Sequence, residues 1–182
     1  MKDIFLVLAS GSRYRAELLA RLGLPFETWA PDVEESPRPG ESCCDTARRL
    51  ARAKAEAART RFPDAWIIGS DQVADLDGHP LGKPGHREGA RSQLRAMRGR
   101  TVIFHTALCL LAGGEAREAL VPTQVVFRDL ADDEIERYLE REPAFDCAGS
   151  AKSEGLGITL LERITGDDPT ALVGLPLVAL SA

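Results

Sequence analysis

The sequence has no excess of positive charge and few aromatic residues. Its 182 residues include 23 Lys and Arg against 28 Asp and Glu, which gives a formal net charge of −5, and only 5% are aromatic. A protein that holds a nucleic acid polymer generally presents a basic surface to the phosphates. The composition therefore argues against polymer binding. It predicts that any phosphorylated ligand is small and held by a few local cations.

Long hydrophobic runs are also missing. No run approaches the roughly 18 residues of a membrane-spanning helix, and the apolar run near the N-terminus is too short for a signal peptide. The cysteines form no C-x-x-C motif, and neither they nor the histidines have the spacing of metal ligands. We expect reduced thiols, structural histidines and a cytoplasmic protein with no membrane partner. The residues concerned are Cys43, Cys44, Cys109, Cys147, His79, His86 and His105.

Apolar β-compatible runs alternate with helical patterns along the whole chain, without a repeat or a linker. This alternation is typical of the α/β class, and the length suits one domain covering 1–182. Helical patterns start with a predicted cap at Ser12, cover 45–60 and 87–97, and begin again with an Asp cap within 130–135, ending before Pro143. Strands are predicted at 4–9, 26–30, 66–68, 101–111, 121–128 and 160–164, with a final apolar segment at 173–180.

The middle of the chain carries a suggestive pair of charges. The apolar run 66–68 predicts a buried strand, which we expect to end in a turn at 69–71, and Asp-Gly at 77–78 predicts a hairpin. The hairpin would bring Asp71 and Lys83 to the same mouth. There the carboxylate would serve water or a cation, and the ammonium a phosphate. The alternative is an ordinary surface turn.

The segment 10–15 has the pattern of an anion site. It joins a predicted strand to a helix start through Ser10 and Ser12, and it carries Arg13 and Arg15. Free backbone N–H groups and the helix dipole favour phosphate at such a helix start. The alternative is that Ser12 is simply a helix cap.

Two further features have both a functional and an ordinary interpretation. Carboxylates cluster in the loop 32–35, where Glu34 and Glu35 either face solvent or turn toward Asp71 to bind Mg²⁺ or Mn²⁺. Lys54 lies on the apolar stripe of a predicted helix, so its ammonium either extends to the rim or points into a cleft.

The segment 147–157 is rich in small residues, which allow close approach of the backbone to a ligand. Its charged members, Lys152 and Glu154, would then contact that ligand. The alternative is a flexible connector.

Several blocks of the sequence occur in an order that resembles the Maf family of nucleoside triphosphate pyrophosphatases, nearly from end to end. The blocks are Leu8-Ala-Ser-Gly-Ser-Arg-Tyr-Arg15, Asp32-Val-Glu-Glu35, Leu50-Ala-Arg-Ala-Lys-Ala55, Ile68-Gly-Ser-Asp71, Leu76-Asp-Gly78, Leu81-Gly-Lys-Pro84, Ala148-Gly-Ser150 and Val173-Gly-Leu-Pro176. The resemblance implies a Maf/Ham1-like fold, in which a mixed sheet with flanking helices forms two lobes around a nucleotide cleft. It also implies a possible homodimer.

Three blocks resemble the YceF-like branch of the family, which acts on 7-methyl-GTP. They are Ser70-Asp71-Gln72-Val73, the segment 147–155, and Asp168-Pro169. The resemblance implies hydrolysis of 7-methyl-GTP, or a related modified nucleotide, to the monophosphate and pyrophosphate as a house-cleaning activity. Two alternatives stay open: a dTTP or UTP pyrophosphatase of the same family, and a nucleotide-binding regulator without turnover.

The resemblance also implies roles for individual residues. Asp71 matches the family's proposed proton acceptor, and a divalent cation, Mg²⁺ or Mn²⁺, would be held by Glu34, Glu35 and Asp71. Arg15, Glu35, Lys54 and Lys83 match residues around the phosphates and the metal. Residues expected to bind the rest of the substrate are Ser10, Ser12, Arg13, Tyr14, Gln72, Lys152 and Glu154.

Two of these residues have a specific chemical rationale. A methylated guanine is cationic, so the ring of Tyr14 would gain cation–π energy beneath it, and Glu154 would balance its charge. The chain departs from the family at the first anion loop, with Arg13 where Pro is usual, Tyr14 where the branch often has Trp, and Ala16 where a second Arg is usual.

Overall fold

The computed structural model describes residues 5–182 and shows one mixed sheet with helices on both faces. The predicted strand start at Ile4 lies outside the described residues. The strands are β1 Leu6–Leu8, β2 Glu27–Thr28, β3 Trp66–Leu76, β4 His79–Leu81, β5 Thr101–Ala112, β6 Glu115–Phe127 and β7 Leu161–Thr165. The helices are α1 Arg13–Ala20, α2 Cys43–Arg61, α3 Arg87–Met97, α4 Asp132–Arg141 and α5 Leu177–Ser181, with short 3₁₀ turns at Ala148–Ser150, Leu156–Leu160 and Ala171–Val173.

The strand order is β2-β1-β3-β5-β6-β7, and β4 pairs with β3 outside this path. Pairing is parallel among β1, β2 and β3, and antiparallel from β3 through β5 and β6 to β7. The α/β class and the mixed sheet predicted from the sequence are therefore confirmed.

Strand β3 is much longer than predicted, and the turn expected at 69–71 is wrong. The strand continues through these residues, with Asp71 in register with Ala107 of β5. The hydroxyl of Ser70, which the pattern assigns to a turn, is buried and donates to the Ala107 carbonyl at 2.8 Å. Asp71 therefore projects from the middle of a central strand.

One edge of β3 is left open in the middle. Along that edge β3 pairs with β1 as far as Ile68 and with β4 from Ala74 onward. Between these two pairings the strands separate, and this gap in the sheet is where the cavity described below opens.

The two faces of the sheet are covered by different helices. On one face α2 packs through a row of small side chains, including Ala47, Ala51, Ala55 and Ala58, against Ile67 and Cys109. On the other face α1 and the C-terminal segment cover Leu8, Ile68 and Leu108, while α3 and α4 cover Phe104 and Val125 farther along. Because side chains alternate along a strand, Asp71 faces α2 whereas Ser70 and Gln72 face the C-terminal segment.

Other boundaries follow the predictions with local differences. Ser12 caps α1 and α3 matches its predicted range, but α4 is preceded by Ala131 rather than by an aspartate cap. Strand β6 begins at Glu115, before the predicted start at 121. The Gly113–Gly114 turn places it directly beside β5, and the two strands pair even where the first residues of β6 are exposed. No described helix has both the length and the hydrophobicity required to cross a membrane.

Candidate active site

A cavity of about 890 Å³ lies at the gap between β1 and β4. This volume is within the range of small-molecule sites in proteins. The predicted residues that line it are Ser10, Ser12, Arg13, Tyr14, Arg15, Glu35, Lys54, Asp71, Gln72 and Lys83. The structure therefore brings together most of the charges that the sequence singled out.

Lys54 lies at the centre of these charges. Its Nζ is 2.6 Å from Oδ1 of Asp71 and 2.6 Å from Oε1 of Glu35. The residue is only 7% exposed, so of the two interpretations of Lys54 the structure supports a charge in the cleft. Helix α2 can place it there because the alanines around it allow the helix to approach β3 closely.

The loop that carries Glu35 is tied to α2. Arg49 forms an ion pair with Glu41 at 2.6 Å and donates to the backbone carbonyl of Ser36 at 3.0 Å.

Burial opposes ionisation of Glu35, but the hydrogen bond and charge of Lys54, together with the charge of Lys83, outweigh it and lower the pKa of this carboxyl.

Glu34 is directed differently from Glu35. Its carboxylate accepts a hydrogen bond from the backbone N–H of Ser36 at 2.9 Å, and it does not line the cavity. The predicted carboxylate pair therefore divides: Glu35 faces Lys54, and Glu34 stabilises its own loop.

A hydrogen bond to the C-terminal segment positions Arg15. Its Nε donates to the carbonyl of Gly174 at 2.8 Å, and its Nη1 is 3.4 Å from Oγ of Ser10. Burial lowers the pKa of Arg15, and the negative charges of Asp71 and Glu35 partly offset this effect. A half-buried guanidinium that lines a cavity is well placed to neutralise phosphate charge.

The start of α1 has the predicted cap. Oγ of Ser12 accepts from the backbone N–H of Arg15 at 3.4 Å, and Oγ of Ser10 accepts from the N–H of Ser12 at 3.1 Å. Both serines line the cavity.

Gln72 fixes the C-terminal segment to the sheet. Its Nε2 lies 2.9 Å from Oγ1 of Thr106 and 3.0 Å from the carbonyl oxygens of both Ala171 and Leu172, so its two N–H groups are shared among three acceptors. The residue also lines the cavity. It therefore has a positioning function in addition to any contact with substrate.

At the side of the cavity formed by α1, Tyr14 is part of a polar cluster. Its hydroxyl donates to Oδ2 of Asp146 at 3.1 Å, and Arg13 lies 4.8 Å from the centre of its ring. Lys152 pairs with Oδ1 of Asp146 at 3.0 Å and lies 5.7 Å from the ring.

Glu154 does not join the other predicted residues. It is exposed and is not part of the cavity lining. Its loop is not a free connector, because the N–H of Lys152 donates to the Tyr138 hydroxyl and that of Gly157 to the Glu142 carboxylate.

Sequence reasoning missed two contributors to the site, Asp146 and the carbonyl of Gly174. Asp146 is a single carboxylate with no motif around it. A main-chain carbonyl has no side-chain signature at all. The block Val173-Gly-Leu-Pro176 was the one signal available for the second.

The donor atoms at the site are compatible with a divalent cation. Lys54 contacts Oε1 of Glu35 and Oδ1 of Asp71, so the second carboxylate oxygen of each residue is the donor left for a cation. Within residues 5–182, no three His, Cys, Asp or Glu side chains are grouped closely enough to form a metal site by themselves. One or two carboxylates completed by substrate phosphates are the usual arrangement for Mg²⁺.

Comparison with known proteins identifies the family. Residues 5–182 match the family model described as Maf-like protein. The chain belongs to the Maf family. The resemblance inferred from the ordered blocks is thereby confirmed, and the Maf fold accounts for the mixed sheet with helices on both faces.

Curated relatives in this family are close in sequence. The chain is 61% identical over 178 residues to the 7-methyl-GTP pyrophosphatase of Aromatoleum aromaticum, covering 97% of this chain and 92% of the relative. It is 59% identical over 179 residues to the protein of the same name from Cupriavidus pinatubonensis, covering 97% and 90%. Identity to the Xanthomonas axonopodis pv. citri protein of that name is 59% over 176 residues, covering 97% and 93%.

Proposed function

We propose that this protein is a pyrophosphatase that hydrolyses 7-methyl-GTP to 7-methyl-GMP and pyrophosphate. The observation that carries the proposal is the convergence of Arg15, Lys54 and Lys83 with Asp71 and Glu35 in one nucleotide-sized cavity. The names of the close relatives support this choice of substrate.

The residues of the cavity have two tasks: a carboxylate positions the attacking water, and cations neutralise the phosphates. Oδ1 of Asp71 is engaged by Lys54, and Oδ2 receives no hydrogen bond from residues 5–182. Oδ2 thus accepts a hydrogen bond from the water that attacks the α-phosphorus, and pyrophosphate leaves. Arg15, Lys54 and Lys83 neutralise the charge on the phosphates, because fixed cations supply much of the stabilisation in phosphoryl transfer.

Glu35 and Asp71 would hold a divalent cation, Mg²⁺ or Mn²⁺, together with phosphate oxygens. Such a cation neutralises charge on the phosphate oxygens. Glu34 orders the loop that supports this pair. The contributions of Ser10, Ser12, Arg13, Gln72, Lys152 and Glu154 to substrate binding remain predictions, as does a homodimer. A cytoplasmic location also belongs to the proposal, and four unpaired thiols are in keeping with a reducing compartment.

The test is release of pyrophosphate from 7-methyl-GTP, GTP, dTTP, UTP and ITP, measured with Mg²⁺ and with Mn²⁺. We expect 7-methyl-GTP to give the highest kcat/KM and Asp71→Asn to lower its kcat by roughly a hundredfold or more. Asp64→Asn, which changes an exposed carboxylate outside the cavity, is the matched control.

Each other outcome contradicts a specific part of the proposal. A higher kcat/KM for dTTP or UTP than for 7-methyl-GTP would contradict the assigned substrate, although the type of reaction would be unchanged. Tight nucleotide binding by calorimetry without pyrophosphate release from any of the five would favour a regulator without turnover.

A further inference from the structure

The cavity lining contains one carboxylate that the proposed reaction does not use. Three acidic residues line the cavity, and two of them, Glu35 and Asp71, are engaged by Lys54. The third is Asp146, which lies beside Tyr14, the one aromatic residue of the described lining. Asp146 differs from Glu35 and Asp71 because it lies next to an aromatic ring, with Arg13 and Lys152 as the cations on this side of the cavity.

Asp146 retains capacity to bind a ligand. Its Oδ1 pairs with Lys152 at 3.0 Å, and its Oδ2 accepts the Tyr14 hydroxyl at 3.1 Å. Each carboxylate oxygen has two acceptor positions, so one remains open on each. The side chain is 54% exposed, and a group entering the cavity can reach it.

Methylation at N7 changes the charge of guanine, and a carboxylate interacts differently with the two forms. The methylated ring carries a positive charge, whereas the ring of GTP is neutral. Its N1–H and 2-amino groups are donors, and their hydrogen bonds to a carboxylate are charge-assisted for either base. The positive ring of the methylated base adds a Coulomb attraction that the neutral base lacks. A ring below the base adds a smaller cation–π contribution.

We propose that Asp146 is the specificity-determining residue that selects the positively charged 7-methylguanine base. Its carboxylate accepts hydrogen bonds from the N1–H and 2-amino edge and balances the charge of the ring. This inference rests on the proposed function, because it presupposes that 7-methyl-GTP is the substrate. Asp146 lines the cavity, whereas Glu154, for which the resemblance implied charge balance, does not, and the role of Glu154 stays a separate prediction.

Lys152 makes the proposal distinguishable from a structural role. Its ammonium pairs with Asp146 and thus competes with the base for the same negative charge. If Asp146 recognises the base, loss of Lys152 strengthens discrimination. If Asp146 only anchors the loop through Lys152, loss of either partner has the same effect.

The experiment compares kcat/KM for 7-methyl-GTP with kcat/KM for GTP in the wild type and four variants. We expect Asp146→Asn to lower the ratio roughly ten- to hundredfold, the effect of removing a Coulomb attraction made only to the methylated base. Asp146→Glu should retain most of the preference, Lys152→Met should raise it, and Asp64→Asn should leave it unchanged. Circular dichroism and thermal unfolding verify that each variant is folded.

Three outcomes would overturn the inference. A wild-type ratio that survives in Asp146→Asn would exclude Asp146 as the selecting group while leaving the proposed function intact. An equal fall in Asp146→Asn and Lys152→Met would reduce the pair to a structural contact. A wild type that does not prefer 7-methyl-GTP would contradict the proposed function at the first measurement, before any variant is compared.

Discussion

Lys54 shows how much one side chain depends on its surroundings. In the sequence it is a lysine among alanines, a pattern common to rim residues and to cleft residues. In the structure its ammonium lies between Asp71 and Glu35 and is almost enclosed. The alanines that obscured its role in the sequence are the residues that let it reach the cleft.

Replacement of Lys54 by Met should remove the cation that separates the two carboxylates. We expect kcat for 7-methyl-GTP to fall by roughly a hundred- to a thousandfold, the usual effect of losing a preorganised charge in a transition state. The measurement is steady-state pyrophosphate release at saturating nucleotide.

Arg52→Met provides the comparison for Lys54→Met on the same helix. Arg52 is exposed and pairs with Glu56 and Glu118, and exposed ion pairs contribute little. Wild-type kcat in Lys54→Met, or an equal loss in Arg52→Met, would contradict the role assigned to Lys54.

At this scale the sequence predicted five charged residues of the cavity and missed two other contributors to it. Asp71, Lys54, Lys83, Arg15 and Glu35 have side chains whose chemistry suggests phosphates, and all five line one cavity. The carbonyl of Gly174 and the isolated Asp146 carry no such signal, because their importance arises only from what the fold places beside them.

Among the elements, β3 is where local pattern and structure disagree most. Gly-Ser-Asp is a typical turn sequence, yet it forms the middle of an 11-residue strand. Pairing with β5 supplies backbone hydrogen bonds across these residues. The Ser70 hydroxyl donates to β5, and Gly69 lies against α2. Turn propensity reflects only neighbouring residues, so it cannot predict that a helix packed on the strand requires small side chains there.

The requirement for a small side chain under α2 is clearest at Gly69. A Cβ added there would lie 2.1 Å from the Ala51 carbonyl oxygen and 2.9 Å from the Ala55 Cβ. Helix α2 therefore rests on the bare backbone of β3, and this close approach sets the distance between Lys54 and Asp71.

Gly69→Ala should push α2 away from β3. We expect the free energy of unfolding to fall by roughly 3 kcal/mol, the upper part of the usual range for overpacking, and kcat to fall because Lys54 loses its position. Urea unfolding and pyrophosphate release measure the two effects.

The control for Gly69→Ala is Gly82→Ala, compared by unfolding alone. A Cβ at Gly82 meets no atom within 4 Å. If both variants unfold at the same urea concentration, the close approach of α2 does not limit stability.

In the molecule as a whole, the site joins distant parts of the chain. The cations come from 13–83, whereas the wall behind them comes from 146–174. Gln72 is one of the links, because its amide contacts the 3₁₀ turn Ala171–Val173 just before the Gly174 carbonyl that orients Arg15. The hydroxyls of Ser70 and Thr106 donate to the Gly174 and Ala171 carbonyls of the same segment. Alternation of strands and helices predicted this class of fold, but it could not predict which loops meet.

Gln72→Leu should loosen this link for every substrate. Loss of the amide removes a donor from the Leu172 carbonyl, whereas the Ala171 carbonyl still accepts from Thr106 and Gly174. We expect the free energy of unfolding to fall by about 1–3 kcal/mol, the cost of one unsatisfied buried group. We expect kcat/KM for 7-methyl-GTP and for GTP to fall by the same factor, measured beside Gln124→Leu, an exposed position on β6. A loss confined to 7-methyl-GTP would instead indicate that Gln72 reads the base.

The bond between Arg15 and the Gly174 carbonyl spans 159 residues. Contacts so distant in sequence close large loops, whose entropy cost is met only when most of the native structure is present. Helices and hairpins can form locally without creating this bond, so a partly folded chain has charged residues but no organised cavity. Recovery of activity during refolding should therefore coincide with completion of the tertiary structure rather than with the formation of local helices and hairpins.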